Sequence, residues 1–159
     1  MAKPARGFIG KSWKELAGVF AKHKVEYLII GKSGAILYGF PDTTQDIDLF
    51  PQKSQENGRR IAVSLKELGF QLDPILEKAI VEGKDFVQLR GGPFDLDLIF
   101  APDGLPSFEE AQRKSSVVER TYPVASIDDI ITSKKAASRQ KDKEVLHRLE
   151  EFAKYLKRS

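Results

Sequence analysis

The sequence predicts a mixed α/β domain, because segments with strand-like alternation are interleaved with segments of helical spacing. Apolar and polar side chains alternate along residues 45–50 and 94–100, and residues 25–30 form a short apolar run. Apolar residues recur three and four positions apart in 54–68 and 142–157. This interleaving indicates a mixed β-sheet flanked by helices, with further helices at the C-terminus.

The first elements each have a local signal. Ser12 and Glu15 match a capping box, which predicts a helix over 12–24. The apolar run 25–30 is typical of a buried strand. Residues 33–38 then predict a short helix, because a glycine and a proline follow at once.

The middle of the chain alternates strand and helix signals. Residues 45–50 are predicted as a strand and 54–68 as a helix that ends at Gly69. Residues 70–72 are predicted as a short strand, which Pro74 breaks.

The second half begins with a predicted hairpin. Its strands, 86–89 and 94–100, flank a turn of sequence Arg-Gly-Gly-Pro. Ser107 and Glu110 indicate a capped helix. The remaining segments are predicted as a strand at 117–122 and helices at 127–139 and 142–157.

Length and composition limit the classes of protein. A chain of 159 residues predicts a single domain, 1–159, with a core over about 12–122 and a helical part over about 126–158. Because cysteine is absent, disulfides, thiolate metal sites and a thiol nucleophile are excluded. No apolar run reaches the length of a membrane span, and the basic N-terminus lacks an apolar signal core, so a cytoplasmic location without membrane association is expected. The net charge of +3 does not by itself indicate nucleic-acid binding.

Two pairs of aspartates carry the candidate chemistry. Asp46 and Asp48 lie two apart in one predicted strand, and Asp95 and Asp97 repeat the spacing in another. Residues two apart share a face of a strand, so each pair projects two carboxylates together. One interpretation is the solvent face of an amphipathic strand. The other is a shared acidic site, since a divalent cation such as Mg²⁺ or Mn²⁺ offsets the repulsion and is bound through carboxylate oxygens.

A glycine-rich turn precedes the first aspartate pair. The segment Gly31-Lys32-Ser33-Gly34 follows one predicted strand and opens a short predicted helix. Such a turn can present backbone N–H groups to an anion. It is also a common structural connection, and it is not a P-loop, because that motif is absent.

These motifs resemble the signature of the polymerase-beta-type nucleotidyltransferase superfamily, in particular its small prokaryotic branch. In that family a Gly-Gly or Gly-Ser turn and a short helix precede a Thr-x-Asp-x-Asp strand, as Thr44-Gln-Asp46-Ile-Asp48 does here. The ending from Ser126 to Asp142, with Lys134 and Arg139, is also similar. The resemblance implies a nucleotidyltransferase-like mixed β-sheet.

The resemblance also implies a set of site residues. Asp46, Asp48 and a third carboxylate on a neighbouring strand would bind the metal and catalyse, with Asp97 the best match and Asp95 the alternate. The residues implied to bind the nucleotide are Gly31, Lys32, Ser33, Thr44, Lys134 and Arg139. Lys134 and Arg139 either contact phosphates or lie on a solvated helix face.

Lys32 departs from the family pattern, since it stands where a second Gly or a Ser is usual. Its ammonium group either reaches the triphosphate or its bulk blocks the close backbone approach. Two functions remain open. One is transfer of a nucleoside monophosphate from an NTP to a hydroxyl of a small molecule, RNA or protein. The other is that of a weakly active or inactive relative that acts as an antitoxin-like partner of a toxin protein or as a nucleotide-binding regulator. The expected protein partner is therefore a toxin protein or a second copy of the chain in a homodimer.

Overall fold

A six-stranded mixed sheet forms the centre of the protein, as seen in a computed structural model that describes residues 6–105, 107–137 and 143–158. The strand order is β3-β4-β2-β1-β6-β5. The strands are β1 (Tyr27–Ile30), β2 (Asp46–Pro51), β3 (Phe86–Leu89), β4 (Asp95–Ile99), β5 (Ser116–Val118) and β6 (Tyr122–Val124). The helices are α1 (Arg6–Lys22), α2 (Gly31–Leu37), α3 (Gln55–Glu67), α4 (Pro74–Glu82), α5 (Phe108–Lys114), α6 (Ile127–Ala136) and α7 (Lys143–Arg158).

The directions of the strands determine which side chains meet. β2 is antiparallel to β1 but parallel to β4, although the β3 segment separates β2 from β4 in the sequence. In this parallel pair Asp46 lies opposite Asp95, and Asp48 lies opposite Asp97. The two aspartate pairs are therefore neighbours in the middle of the sheet, and the predicted mixed α/β fold is confirmed.

Helices cover the sheet and complete a single core. α3 packs against α1 and α4, and α6 packs against α2 and α7. In α1 the apolar side chains of Trp13, Leu16 and Phe20 are buried. The alternation of β2 is observed over residues 46–49, because Ile47 and Leu49 are buried in the core while Asp46 and Asp48 face the other side. No helix within these described ranges is long and apolar enough to cross a membrane.

Three local predictions are wrong. The first helix begins before Ser12, which lies inside α1 and is not its N-cap. A capping-box pattern inside a longer amphipathic segment does not start a helix, because the preceding residues continue it.

The segment around Pro74 was also predicted wrongly. Residues 70–72 form no strand, and Pro74 opens helix α4 instead of breaking an element. Asp73 caps this helix, because its Oδ1 accepts a hydrogen bond of 2.8 Å from the Leu76 N–H. Proline is well suited to the first helical position, where its missing N–H costs nothing.

Residues 117–122 form a hairpin and not one strand. β5 and β6 are antiparallel and joined by a tight turn in which Glu119 and Arg120 have φ values of 55° and 59°. Two consecutive left-handed residues form the turn type that matches the twist of a hairpin. The turn lacks the usual Asn-Gly signal, so the sequence pattern did not show it. The 86–89 and 94–100 hairpin is confirmed.

Candidate functional site

Three carboxylates converge where β2 and β4 run side by side. Asp48 and Asp97 lie opposite each other in the strand register, and Asp46 precedes Asp48 by two residues on the same face. Asp97 is only 6% exposed, whereas the side chain of Asp46 is 40% exposed. Asp95, the alternate third carboxylate, lies opposite Asp46 at the start of β4. The geometry therefore favours Asp97 as the partner of Asp48.

The carboxyl group of Asp48 has unusual electrostatics. Burial raises its pKa to about 7, and the charge of Asp97 and a hydrogen bond to it act in the same direction. The charge of Asp46 adds to the shift, while that of Lys134 opposes it. Without a bound cation, the site therefore disfavours full ionisation of its carboxylates.

Arg90 pairs with two of the three carboxylates. Its Nη1 donates a hydrogen bond of 2.8 Å to Asp97 Oδ1, and its Nη2 lies 3.5 Å from Asp46 Oδ2. The hydrogen bond to Asp97 raises the pKa of Arg90 above its usual value, so the guanidinium is charged at any ordinary pH. Sequence patterns did not single out Arg90, although its place between β3 and the Gly91-Gly92 turn aims it along the sheet edge toward β4.

Gly31 allows the upstream turn to approach Asp48. Its φ is +63°, a left-handed conformation that side chains disfavour. A Cβ at this position would overlap Asp48 Oδ2 and lie 3.2 Å from Asp48 Cγ. The site therefore requires glycine here for two independent reasons.

Ser33, in the first turn of α2, links this helix to strand β2. Its side chain is fully buried, and its hydroxyl donates to the Ile30 carbonyl at 2.8 Å and accepts from the Asp48 N–H at 3.1 Å. The hydroxyl is thus used inside the protein and holds Asp48 in position, which leaves only the Ser33 backbone for phosphate binding.

Replacing Ser33 with alanine is expected to destabilise the protein by about 1–3 kcal/mol, because the Asp48 N–H and the Ile30 carbonyl both lose a partner. Urea denaturation of Ser33→Ala measures the loss. Thr132→Ala, at an exposed position of α6, is the matched control and is expected to change the unfolding free energy by less than about 0.5 kcal/mol. Equal effects of the two substitutions would contradict this role.

Lys32 is held by an acidic side chain from the following loop. Its Nζ lies 3.6 Å from Asp42 Oδ2, which is also 3.5 Å from Arg148 Nη1 of α7. Burial opposes ionisation of Asp42, but the Thr43 N–H and the two cations outweigh it and lower its pKa. Lys32 is therefore oriented beside the turn, and Asp42 links that turn to the C-terminal helix.

A cleft of about 690 Å³ opens in front of these groups. Asp46 and Asp48 line it, whereas Asp97 lies behind them with its carboxylate covered by Arg90. The cleft is also lined by Gly31, Lys32, Thr44 and Lys134 from the sequence-predicted set, and by Asp85, Asp103 and Ser133, which sequence reasoning missed. Asp85 directly precedes β3, Asp103 lies in the loop between β4 and α5, and Ser133 lies within α6, and no sequence motif marks any of them.

The remaining predicted residues are placed as follows. The Thr44 hydroxyl donates to the Asp46 carbonyl at 3.1 Å and accepts from the Asp46 N–H, so it orders the start of β2. Lys134, on α6, is partly buried at the cleft. Arg139, and the part of the family-like ending that runs to Asp142, lie outside the described residues.

The oxygen atoms at the cleft bear on whether a divalent cation could bind there. Among the residues described here, no group of three or more acidic or histidine side chains is arranged as a metal cluster. Asp97 Oδ1 is instead paired with the Arg90 guanidinium. The chemistry of the groups nevertheless fits Mg²⁺, because Asp46 and Asp48 supply hard oxygen ligands. The raised pKa of Asp48 shows that its negative charge is disfavoured, and a bound cation would offset that repulsion.

Comparison with known proteins identifies the fold. The structure is similar to the crystal structure of a "putative nucleotidyltransferase" from Thermotoga maritima, with a TM-score of 0.54 and 15% sequence identity over 97% of this chain and 96% of the other. The chain has a nucleotidyltransferase-like fold. No protein-family model and no curated protein sequence matches it. At 15% identity the likeness shows the fold alone.

Proposed function

We propose that the protein is a divalent-cation-dependent nucleotidyltransferase that moves a nucleoside monophosphate from an NTP to a hydroxyl group of an acceptor. The observation that carries this proposal is the register pairing of Asp48 with Asp97 beside Asp46, at a cleft that also presents two lysines. A cleft of about 690 Å³ has the size of a small-molecule site.

The three aspartates would hold the metal. Asp46 and Asp48 line the cleft, and Asp97 adjoins Asp48 from β4. Bound Mg²⁺ or Mn²⁺ would supply charge neutralisation for the triphosphate and the leaving pyrophosphate. The close approach of Gly31 and the hydrogen bond from the Asp48 N–H to buried Ser33 would keep Asp48 fixed during this step.

The transfer itself would be an in-line displacement. The acceptor oxygen forms a bond to the α-phosphorus, and the bond from that phosphorus to the bridging oxygen of pyrophosphate breaks. Asp97 would accept the proton of the acceptor hydroxyl once its carboxylate is released from Arg90. Lys32 and Lys134, which both line the cleft, and Arg139 are proposed to contact the phosphates.

Transfer of label from α-labelled NTPs to an acceptor pool tests the proposal. Wild-type protein with Mg²⁺ is expected to label one pool among RNA, protein and small molecules. The double variant Asp46→Asn, Asp48→Asn is expected to transfer label about 10³-fold more slowly or worse. The matched control is Asp128→Asn, an exposed residue of α6 paired with Lys157. If Asp95→Asn abolishes transfer and Asp97→Asn does not, the assignment of the third carboxylate is wrong.

A second candidate is a nucleotide-binding regulator or an antitoxin-like partner of a toxin protein. The ion pairs of Arg90 with Asp97 and Asp46 favour it, because they occupy oxygens that catalysis would require. This candidate predicts Mg²⁺-dependent NTP binding without transfer of label to any pool. If neither binding nor transfer occurs with Mg²⁺ or Mn²⁺, the enzyme proposal fails.

A further inference from the structure

Arg90 is a cation built into the carboxylate site. Its guanidinium bridges Asp97 Oδ1 at 2.8 Å and Asp46 Oδ2 at 3.5 Å, and Nη1 also donates to the Leu89 carbonyl at 3.2 Å. These contacts neutralise part of the charge that a divalent cation would neutralise. The side chain is therefore a candidate competitor of the metal.

The backbone keeps Arg90 in this place. It follows strand β3 directly and precedes Gly91, whose φ is +77°, and Gly92, where a Cβ would come within 2.6 Å of the Phe70 ring. The turn that carries Arg90 is thus packed against Phe70. The Phe70 and Phe94 rings form an edge-to-face pair with their centroids 5.1 Å apart. Packing thus holds the backbone of the turn, while the guanidinium itself, on a side chain that is 40% exposed, is held by its contacts with Asp97, Asp46 and the Leu89 carbonyl.

Asp97 and Asp46, the two carboxylates that contact Arg90, differ in their access to the cleft. Asp97 is almost completely buried, and its Oδ1 faces the guanidinium and not the cleft. Asp46, in contrast, contacts Arg90 and also lines the cleft. A free hydrated cation would have to displace the guanidinium and leave it beside a second positive charge. A triphosphate in the cleft would instead offer the displaced guanidinium an anion of matching fork geometry.

We propose that Arg90 competes with the divalent cation for Asp97 and Asp46, so that the site takes up the metal together with a triphosphate and not as a free ion. This inference rests on the proposed function, and it makes Arg90 a positioning residue that determines which form of the metal binds.

The test measures Mn²⁺ binding by paramagnetic resonance at one fixed pH, with and without a non-hydrolysable NTP analogue. Wild type is expected to bind free Mn²⁺ weakly and to bind it much more tightly with the analogue. In Arg90→Gln the affinity for free Mn²⁺ is expected to rise about tenfold, because no charged hydrogen bond has to be broken. The ratio of the two affinities, with and without the analogue, is expected to fall by about tenfold or more.

The control is Arg59→Gln, an exposed arginine of α3 bonded to Gln55, which is expected to match wild type. If circular dichroism shows that Arg90→Gln is unfolded, Arg90→Lys replaces it, since a lysine cannot bridge both carboxylates, and the same direction is expected. An unchanged ratio in the folded variant overturns the role of Arg90 while the proposed function stands. Absence of Mn²⁺ binding in wild type and variant, with and without the analogue, overturns both.

Discussion

Asp48→Asn is expected to stabilise the metal-free protein by up to about 4 kcal/mol at a pH of about 8, and to abolish its response to Mg²⁺. The residue lies where burial and two neighbouring carboxylates oppose its charge. An asparagine keeps the shape of the side chain without the charge, and its amide can donate a hydrogen bond to Asp97. Stability and metal binding are thus expected to change in opposite directions.

The sign of the pH dependence follows from proton linkage. The pKa of Asp48 is about 7 in the folded protein and near 3.8 in the unfolded chain, so the folded state binds the proton more tightly. The stability of wild type therefore falls as pH rises from about 4 to about 7, and the whole penalty is present above that range. Below about pH 4 both states are protonated, and the difference between wild type and Asp48→Asn is expected to vanish.

Thermal or urea unfolding across this pH range, with and without saturating Mg²⁺, measures both effects. The control Asp128→Asn removes an exposed carboxylate paired with Lys157 and is expected to show neither the gain at high pH nor a loss of the Mg²⁺ response. If Asp48→Asn is less stable than wild type at high pH in the absence of metal, Asp48 is not under electrostatic strain and the cation site loses its main support.

The aspartate pairs show how far a sequence pattern can lead. Period-two alternation predicted that Asp46 and Asp48 share a face, and burial of Ile47 and Leu49 on the other face agrees with it. The same rule applied to β4, but it could not tell which aspartate would meet Asp48. That depends on the register between β2 and β4, which are parallel neighbours separated by three other elements in the chain. Only the resemblance had favoured Asp97 over Asp95.

The residues that the sequence did not indicate act through long-range contacts. Arg90 becomes part of the site because the β3–β4 hairpin pairs with β2, a non-local contact that carries no local signal. Ser33 was implied to hold phosphate through its side chain or its backbone, and its buried hydroxyl accepts a hydrogen bond from the Asp48 N–H. In both cases tertiary packing determined the role of a polar side chain whose local pattern permitted several roles.

Gly31→Ala is expected to destabilise the protein by about 2–4 kcal/mol and to abolish metal–nucleotide binding. About 1–2 kcal/mol of this comes from placing a side chain in a left-handed conformation, since φ is +63°. The rest comes from overlap of the new Cβ with Asp48 Oδ2: the Asp48 backbone is held by the bond of its N–H to buried Ser33, so the carboxylate is the group that has to give way. The carboxylate must therefore rotate away from its position beside Asp97, and the site loses its geometry.

A double-mutant cycle separates the two causes. In an Asp48→Ala background the overlap is largely removed, so Gly31→Ala is expected to cost only the backbone term, about 1–2 kcal/mol by urea unfolding. Gly18→Ala is the matched control, because a Cβ there meets nothing within 4 Å on helix α1, and it is expected to stabilise the protein by about 0.5–1 kcal/mol. An equal cost of Gly31→Ala in both backgrounds would show that backbone strain alone requires the glycine. The close approach between the turn and Asp48 would then have no part in forming the site.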